Sequence, residues 1–234
     1  MTPDTTITPL ERLIDAALPH VAFDGWTQAT WDAAVTDSGV DPATARALCP
    51  RGAVDLALSF HRRGDRLMVE RLKAEDLSAL RFRDRIQRAV RYRIEIVAPH
   101  KEAVRRGTTL FSLPQYMPDG AGAIWGTVDA IWTALGDPSD DINWYTKRGT
   151  LGAVYGATVL FWLGDDSPGW MNTWDFLERR IDNVMQIEKA KGTMRKNPLL
   201  RPLIAGPAWL TRGVKAPGRG RFRGMPGSIN RQGW

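Results

Sequence analysis

The chain has 234 residues, 43% of them hydrophobic, which is enough for one large domain or for a small domain and a larger one. Its single cysteine, Cys49, excludes an internal disulfide framework and suits a reducing compartment. The three histidines, His20, His61 and His100, are scattered and show no metal-ligand spacing, so we predict no metal site.

The formal net charge of +6 is distributed unevenly. From Lys189 to the end there are 11 Lys and Arg residues and no Asp or Glu. Subtracting these from the totals of 32 and 26 leaves 21 basic and 26 acidic groups, a net charge of −5, in the first 188 residues. A basic tail on an acidic body favours contact with phosphate, in lipid headgroups or nucleic acid. A solvated terminus explains the same pattern.

The N-terminus has neither the basic nor the apolar region of a signal peptide. The longest uncharged apolar stretch, residues 151–164, is shorter than the ~20 residues that span a bilayer. We therefore expect a soluble protein or one that lies on a membrane surface.

Three short helices are predicted in residues 1–50. The first covers 10–18 and is stopped by Pro19; the second covers 28–37, with Thr27 as its N-cap. The third starts at Asp41-Pro42, a cap followed by proline at the first helical position. A tight glycine-containing turn between the second and third helices makes this unit resemble a helix-turn-helix.

The charge of this unit argues against DNA binding. Its basic residues are only Arg12 and Arg46, and its acidic residues are Asp4, Glu11, Asp15, Asp24, Asp32, Asp37 and Asp41. A DNA reader needs several Lys or Arg contacts to phosphate, and the predicted recognition helix, residues 42–48, offers Arg46 alone.

Further helices are predicted along the rest of the body. A helix over 52–74 has His61 facing inward as a satisfied core-edge histidine, and the next helix is capped by Ser78 and ends near residue 97. Two more helices cover 101–111 and 120–135, the second capped by Asp119. A last long helix starts at Ser167-Pro168.

Residues 136–164 are the central segment of the predicted architecture. Asp140, Asp141 or Asn143 caps a helix that starts with an exposed-type run, 144–148, and ends in an almost uncharged segment. Trp144, Arg148, Leu151 and Tyr155 share one face by their spacing.

A stripe of three glycines, Gly149, Gly152 and Gly156, lies on another face of this helix. Each glycine costs roughly 1 kcal/mol against alanine, so the stripe indicates close packing of a helix or of a ligand.

No nucleophile elbow, P-loop or dinucleotide fingerprint is present, and the carboxylate pairs at 140–141 and 165–166 are explained by capping. We therefore predict no catalytic residues and no cofactor. Eight of the ten tryptophans occur from residue 125 onward. Such aromatics suit a large core, an apolar ligand cavity or an interface.

The tail, residues 197–234, is rich in proline and glycine and has no acidic residue, so little regular structure is expected. An apolar patch at 198–210 suits an interfacial anchor or a peptide that packs back on the body. We thus predict a helix-turn-helix-like unit (1–50), a helical ligand-binding domain (51–196) and a basic tail (197–234).

The run Asp141–Arg148, DINWYTKR, resembles the signature of the Coq-nine family of ubiquinone (coenzyme Q) biosynthesis proteins. Further matching segments follow in order over about residues 10–190: Gly25-Trp26-Thr27, Leu113-Pro114 with Pro118, Asp129 with Trp132, Gly136-Asp137, Ser167-Pro168, and Thr173-Trp174 followed by Phe176-Leu177-Glu178 and Arg180.

The resemblance implies an all-α fold like that of TetR-type regulators, in which the N-terminal unit does not bind DNA and the larger helical bundle holds a lipid-binding cavity. It also implies a non-enzymatic accessory protein that binds an isoprenoid lipid or ubiquinone intermediate. The protein would present this lipid to the di-iron hydroxylase of demethoxyubiquinone. We expect no metal or other cofactor and no nucleic-acid partner.

Two sets of residues follow from the resemblance. Partner contact falls to Trp144 and Tyr145, supported by Asp141, Lys147 and Arg148. Candidates for the cavity wall, which also suit a plain core, are Trp125, Val128, Trp132, Leu160 and Trp162.

Family members commonly end in an amphipathic helix, whereas this tail is basic and Pro/Gly-rich, although Lys and Arg still attract an anionic membrane surface. We expect a cytoplasmic protein bound peripherally to the inner membrane, on the matrix side if mitochondrial. TetR-like folds pair through their last long helices, so we expect a homodimer. The alternatives are a ligand-responsive TetR-type regulator and an RNA-associated protein that uses its Arg/Gly tail.

Overall fold

The computed structural model describes residues 7–196, apart from the side chains of Met185 and residues 187–196. The predicted basic tail, 197–234, lies outside the described residues. The helices are α1 (Pro9–Asp24), α2 (Gln28–Ser38), α3 (Pro42–Leu48), α4 (Ala53–Ala74), α5 (Phe82–Val97), α6 (Lys101–Phe111), α7 (Met117–Ala134), α8 (Ile142–Leu163) and α9 (Met171–Lys196). No strand occurs between residues 7 and 196, so the predicted all-α fold is confirmed.

The first helix is longer than predicted, because Pro19 does not stop it. Proline lacks the N–H that would bond to the carbonyl of Asp15, yet α1 continues to Asp24. Leu18 and Val21, on either side of Pro19, are both buried, so packing maintains the helix where local hydrogen bonding is lost.

The caps of α2 and α3 are confirmed. Thr27 accepts a hydrogen bond from the Thr30 N–H, and Asp41 accepts one from the Thr44 N–H at 2.9 Å. Between the two helices Gly39 adopts a left-handed conformation with φ of 62°, which a residue without a Cβ tolerates. The predicted helix-turn-helix arrangement is therefore present in the chain.

Two predicted caps are wrong. The helix expected after Ser78 begins only at Phe82. The residues before it form a separate turn, in which the Leu80 N–H bonds to the Leu77 carbonyl. Likewise α7 begins at Met117, which places Asp119 inside its first turn. There the Asp119 carboxylate pairs with Arg51 at 2.8 Å rather than with a free backbone N–H.

The chain packs as two compact units. One combines the chain up to Arg71 with Tyr92–Thr127, and the other combines Leu72–Arg91 with the chain from Val128 onward. These units are defined by packing alone. The domain boundaries predicted from the sequence, at residues 50 and 196, stay a prediction.

In the first unit α1 packs against α2, α3 and α6. Leu13 and Val21 of α1 are fully buried, and the indole N–H of Trp26 donates to the Ala103 carbonyl at 3.0 Å. Cys49, which follows α3, is also fully buried, and this burial, with Asp55 nearby, raises the pKa of its thiol to about 11.

A polar network lies inside the first unit. His61 Nε2 lies 2.8 Å from the Thr127 hydroxyl, which in turn donates to Asp65. The guanidinium of Arg93, almost fully buried, donates to Asp65 at 2.6 Å and to the His61 carbonyl at 3.0 Å. The prediction of His61 as a satisfied core-edge histidine is confirmed. Burial lowers the pKa of His61 to about 4.

In the second unit α8 packs against α9, and Val128, Ile131, Trp162 and Leu177 are fully buried. No helix in the described part of the chain is both long enough and apolar enough to cross a bilayer.

The connection to α9 depends on Asp165. Ser167-Pro168 starts a single 3-10 turn, and α9 itself begins at Met171. The Asp165 carboxylate accepts hydrogen bonds from the Ser167 N–H and from both the N–H and the hydroxyl of Thr173. Its predicted capping role is therefore confirmed.

Candidate functional site

The site is built on the first turns of α8. Among the three cap candidates the structure selects Asp141, whose carboxylate accepts from the backbone N–H and the side-chain amide of Asn143, both at 2.9 Å. This satisfies a free donor at the helix start and orients the turns that follow.

Arg148 occupies the centre of this region and is buried, with a side-chain exposure of 3%. Its Nε donates to Asp129 at 2.7 Å, and its Nη1 donates to Asp137 and to the Trp144 carbonyl, both at 3.2 Å. The guanidinium carbon lies 4.0 Å from the centre of the Trp144 ring, within the range of a cation–π contact.

Asp137 is shared between two cations. Lys147 Nζ lies 2.8 Å from Asp137 Oδ1 and 2.6 Å from the Ser139 hydroxyl. Burial alone would raise the pKa of Asp137, but the hydrogen bonds from Lys147, Ser139 and Arg148 outweigh it, so this pKa lies below its usual value. Asp137 is therefore a structural anion that holds both basic residues of the signature run.

The run expected to be exposed is partly buried. Trp144 retains only 8% of its exposure and Arg148 is buried, because the residues at positions i and i+4 of α8 face the interior. Tyr145 is half-buried, with its ring 4.8 Å from that of Trp144 in an edge-on arrangement. Asp141 is exposed and Lys147 half-buried. Thus Trp144 and Arg148 face the core, whereas Asp141, Tyr145 and Lys147 keep accessible surface.

A cavity of about 250 Å³ opens next to these residues, within the second unit. Its wall comes from four helices: Phe82, Arg83 and Ile86 of α5, Trp132 of α7, Asn143, Thr146, Lys147, Thr150, Leu151 and Val154 of α8, and Ile181 and Val184 of α9. Lys147 thus belongs both to the signature run and to the cavity wall.

One residue of the predicted cavity wall, Trp132, lines this cavity. Val128 and Trp162 are fully buried in the core, and Leu160 is exposed by 60%. Trp125 is half-buried and belongs to the other compact unit. The structure does not bring these five residues together.

The sequence signal for the wall was present in α8 but lay on a different face. Positions 143, 146, 147, 150, 151 and 154 follow helical spacing on a face that adjoins the face of Trp144 and Arg148, with Leu151 at the boundary between the two. The contributions of Phe82 and Ile181 had no local signal, because they come from helices distant in sequence.

The glycine stripe on α8 does not reflect close packing at its first position. A methyl group built on Gly149 would meet no atom within 4 Å. Among the side chains that the structure describes, no group of three or more His, Cys, Asp or Glu residues is placed to hold a metal ion.

Three comparisons relate this chain to known proteins. The model of the COQ9 family matches residues 117–188, which include α7, α8 and most of α9. The ubiquinone biosynthesis protein COQ9, mitochondrial, of Drosophila melanogaster is 33% identical over 184 residues, 76% of this chain and 55% of that protein. The human protein of the same name is 32% identical over 183 residues, 75% of this chain and 57% of its own length.

A probable ubiquinone biosynthesis protein coq9, mitochondrial, of Dictyostelium discoideum is 29% identical over 191 residues, 79% of this chain and 62% of that protein. The chain therefore spans between about half and two thirds of the length of these relatives.

A solved structure, the TetR transcriptional regulator from Nitrosomonas europaea ATCC 19718, superposes with a TM-score of 0.61. It is 18% identical, and the match covers 74% of this chain and 95% of that one. This confirms the TetR-like fold. The family match over α7 to α9 and the relatives over three quarters of the chain agree with the sequence signature, and the chain belongs to the COQ9 family.

Proposed function

We propose that this protein is a lipid-binding accessory protein of ubiquinone biosynthesis. It binds an isoprenoid quinone intermediate and presents it to the di-iron hydroxylase of demethoxyubiquinone, without catalysing a reaction itself. The observation that carries the proposal is the position of the cavity, which shares Asn143, Thr146 and Lys147 with the signature run of the family. Ligand binding and partner contact would then depend on one helix.

The physical need for such a protein follows from the ligand. Each buried CH2 group contributes ~0.8 kcal/mol, so a polyprenyl chain is held in the bilayer by tens of kcal/mol. A protein docked on the membrane lowers the barrier to delivery by offering an apolar wall while the head group leaves the bilayer. The Phe82, Ile86, Leu151 and Val154 side chains form such a wall here.

The partner surface of this proposal centres on Tyr145 rather than on Trp144. Trp144 is buried against Arg148, so it acts chiefly as support. Tyr145, Lys147 and Asp141 retain exposure. Direct contact with the hydroxylase is therefore assigned to these three residues, with Trp144 and Arg148 fixing the turn that carries them.

The helix-turn-helix-like unit, residues 1–50, argues against the alternative of a TetR-type regulator. Arg46, the basic residue of α3, donates to the Pro50 carbonyl at 3.4 Å, and its guanidinium carbon lies 5.1 Å from the centre of the Trp31 ring. It is thus engaged within the protein, in a unit that is acidic overall. A gel shift on duplex DNA at low salt tests this alternative, and salt-sensitive binding would favour it.

Lipid binding is tested by extraction of the natively purified protein and lipid mass spectrometry. We expect a co-purifying isoprenoid quinone or polyprenyl lipid. A Thr150→Trp variant, which places an indole at an exposed position of the cavity wall, should lose it. Ala153→Trp, also exposed on α8 but outside the wall, is the matched control. Purified protein without such a lipid, or equal lipid content in both variants, would contradict the proposal.

Partner contact is tested with Tyr145→Ala. We expect weaker association with the hydroxylase in a pull-down and unchanged thermal stability. Trp144→Ala is a poor test by itself, because it removes the ring that packs on Arg148 and so destabilises the helix start. Full association of a folded Tyr145→Ala protein would remove the surface assignment.

Membrane association is proposed for the basic tail. A chain lacking residues 197–234 should bind anionic liposomes less tightly than the full chain, because each Lys or Arg near such a surface contributes ~1 kcal/mol. Loss of RNA binding in the same truncated chain would instead favour the RNA-associated alternative.

A further inference from the structure

We propose that the basic tail, residues 197–234, docks on an acidic surface of the helix-turn-helix-like unit. This surface, here called the α2–α3 face, takes no part in the lipid and hydroxylase contacts proposed above. It consists of the carboxylates of Asp32, Asp37 and Asp41 and of the exposed α3 residues Ala43, Thr44, Ala47 and Leu48. Its occupant is a segment of the same chain, held by opposite charge and by apolar contact.

The three carboxylates of the α2–α3 face lack cationic partners. Each is exposed, and no Lys or Arg lies within ion-pair distance of any of them in the described part of the chain. Asp37 contacts the His20 ring, and Asp41 bonds to Thr44 through Oδ2 alone. Asp24, at the end of α1, is the other exposed carboxylate of this unit without such a partner. Eight other carboxylates of the first unit each pair with an arginine: Glu11, Asp15, Asp55, Asp65, Glu70, Glu95, Glu102 and Asp119. Unpaired negative charge on this face therefore attracts a cationic partner.

The apolar part of the face lies on α3, the predicted recognition helix. Its exposed residues Ala43, Ala47 and Leu48 carry no charge, and Leu48 is exposed by 42%. Arg46, the single basic residue of α3, is held over the Trp31 ring at 5.1 Å. A helix in this position that reads DNA needs cations and polar groups for phosphate and base edges. Here the chemistry is the reverse, so the face fits a basic segment that carries apolar side chains.

The tail has the complementary composition. It contains no Asp or Glu, and it contains seven basic residues: Arg201, Arg212, Lys215, Arg219, Arg221, Arg223 and Arg231. Its apolar patch, 198–210, places three leucines and an isoleucine within three residues of Arg201. Cations next to apolar side chains on the tail thus match carboxylates next to apolar side chains on the α2–α3 face. Such complementarity selects a partner and fixes its position, although each exposed ion pair is weak.

The tail is long enough for this contact. The chain leaves α9 at Lys196, and the 38 residues of the tail span up to ~130 Å at ~3.4 Å per residue. That length is several times the ~16 Å radius of gyration of a folded chain of about 200 residues. Covalent attachment also replaces the concentration of a free peptide by a fixed effective concentration, so docking persists in dilute protein.

Docking and membrane contact would use the same cations and so exclude each other. An anionic membrane surface attracts Lys and Arg within a Debye length, about 8–10 Å at physiological salt. It would draw the tail away from the α2–α3 face, and in the absence of such a surface the tail would return to the protein. Only this consequence rests on the membrane role proposed above, whereas the docking itself does not.

The first test is a zero-length cross-link in the full chain. A carbodiimide joins amines to carboxylates that are in contact, and Lys215 is the single lysine of the tail. Mass spectrometry of the monomeric product should find Lys215 joined to Asp32, Asp37 or Asp41, and about 0.5 M NaCl should suppress the link by screening. Absence of these links, or their presence only in cross-linked dimers, would overturn the proposal.

The second test compares two variants of equal net charge on vesicles of phosphatidylcholine with roughly 30% phosphatidylserine. Asp32→Asn with Asp37→Asn removes two charges of the α2–α3 face. The control, Asp166→Asn with Asp175→Asn, removes two exposed charges of the second unit. The first variant should bind the vesicles about threefold to tenfold more tightly than the control, because its tail is released. Equal affinity of the two variants would contradict the docking. If the unaltered chain did not bind the vesicles, the membrane role would fail, and the cross-link alone would decide the docking.

Discussion

Arg148 Nη1 lies 3.2 Å from Oδ2 of Asp137, and each of these side chains is at most 3% exposed. Removal of Arg148 takes a buried cation from two carboxylates, Asp129 and Asp137, of which Asp137 keeps Lys147. We therefore expect Arg148→Met to lower the free energy of unfolding by ~3–5 kcal/mol, measured by urea denaturation followed by circular dichroism. The exposed Arg12→Met is the matched control, with an effect within about 0.5 kcal/mol.

The other carboxylate that Arg148 holds offers a rescue. Asp129 loses its ion pair in Arg148→Met, whereas Asp137 keeps Lys147 at 2.8 Å. Adding Asp129→Asn to Arg148→Met should therefore recover part of the lost stability. Equal stability of Arg148→Met and the control would show that the pair contributes nothing to the fold.

Two glycines should respond to alanine with opposite signs. Gly149 is exposed on α8 with open space around it, so Gly149→Ala should stabilise the protein by about 0.5–1 kcal/mol through helix propensity. At Gly64 the added carbon would lie 2.7 Å from the guanidinium carbon of Arg93, which is held by Asp65. Gly64→Ala should therefore destabilise by about 1–3 kcal/mol. Thermal and urea unfolding of both variants decide the matter, and the same sign in both would contradict this account.

His61 should make stability depend on pH. Burial lowers the pKa of His61 in the folded protein to about 4, against 6.5 for an ordinary histidine. Between these values the unfolded chain takes up a proton that the folded protein does not, so stability is full above pH 6.5 and falls as the pH is lowered towards 4. Since the side chain keeps 21% exposure, we expect a loss of about 1–3 kcal/mol.

The variant for this test is His61→Gln, which cannot titrate. Its unfolding free energy should vary less than that of the unaltered protein between pH 7 and 4.5. Burial also lowers the pKa of His100, which contributes with the same sign in both proteins and so cancels in the difference. Parallel pH profiles would contradict the role of His61.

Asp165 should be more important than its neighbour Asp166. Burial alone would raise the pKa of Asp165, but hydrogen bonds from Thr173 and Ser167 hold it well below its usual value. Asp165→Asn replaces one acceptor oxygen by a donor that faces N–H and O–H groups, so we expect a loss of about 1–3 kcal/mol. The exposed Asp166→Asn should have almost no effect on urea unfolding, and equal losses would refute the capping account.

The features predicted best from the sequence were those decided within three or four residues. Thr27, Asp41 and Asp141 each cap a helix by bonding to a backbone N–H two or three positions later. The continuation of α1 through Pro19 depends instead on the burial of Leu18 and Val21, which no local rule contains. Fold class was accessible because the motifs that carry the family resemblance are spread along the chain.

The candidate site was only partly predictable. Helical periodicity identified the Trp144 face and the glycine face of α8, but the cavity lies against a third face, because its position depends on where α5 and α9 pack. Trp144 was therefore expected on the surface and lies inside, whereas Thr146 and Thr150 were passed over and line the cavity. Such long-range packing leaves no signal in the spacing of one helix.

Cys49 determines how the protein can be studied by spectroscopy. With a thiol pKa of about 11 and no exposed surface, only about one thiol in ten thousand is ionised at pH 7, so alkylating dyes and spin labels have almost no natural target. A cysteine introduced at the exposed Leu160 position would therefore be the single reactive handle of the folded chain. Labelling at chosen positions can proceed in the native background, without first replacing Cys49.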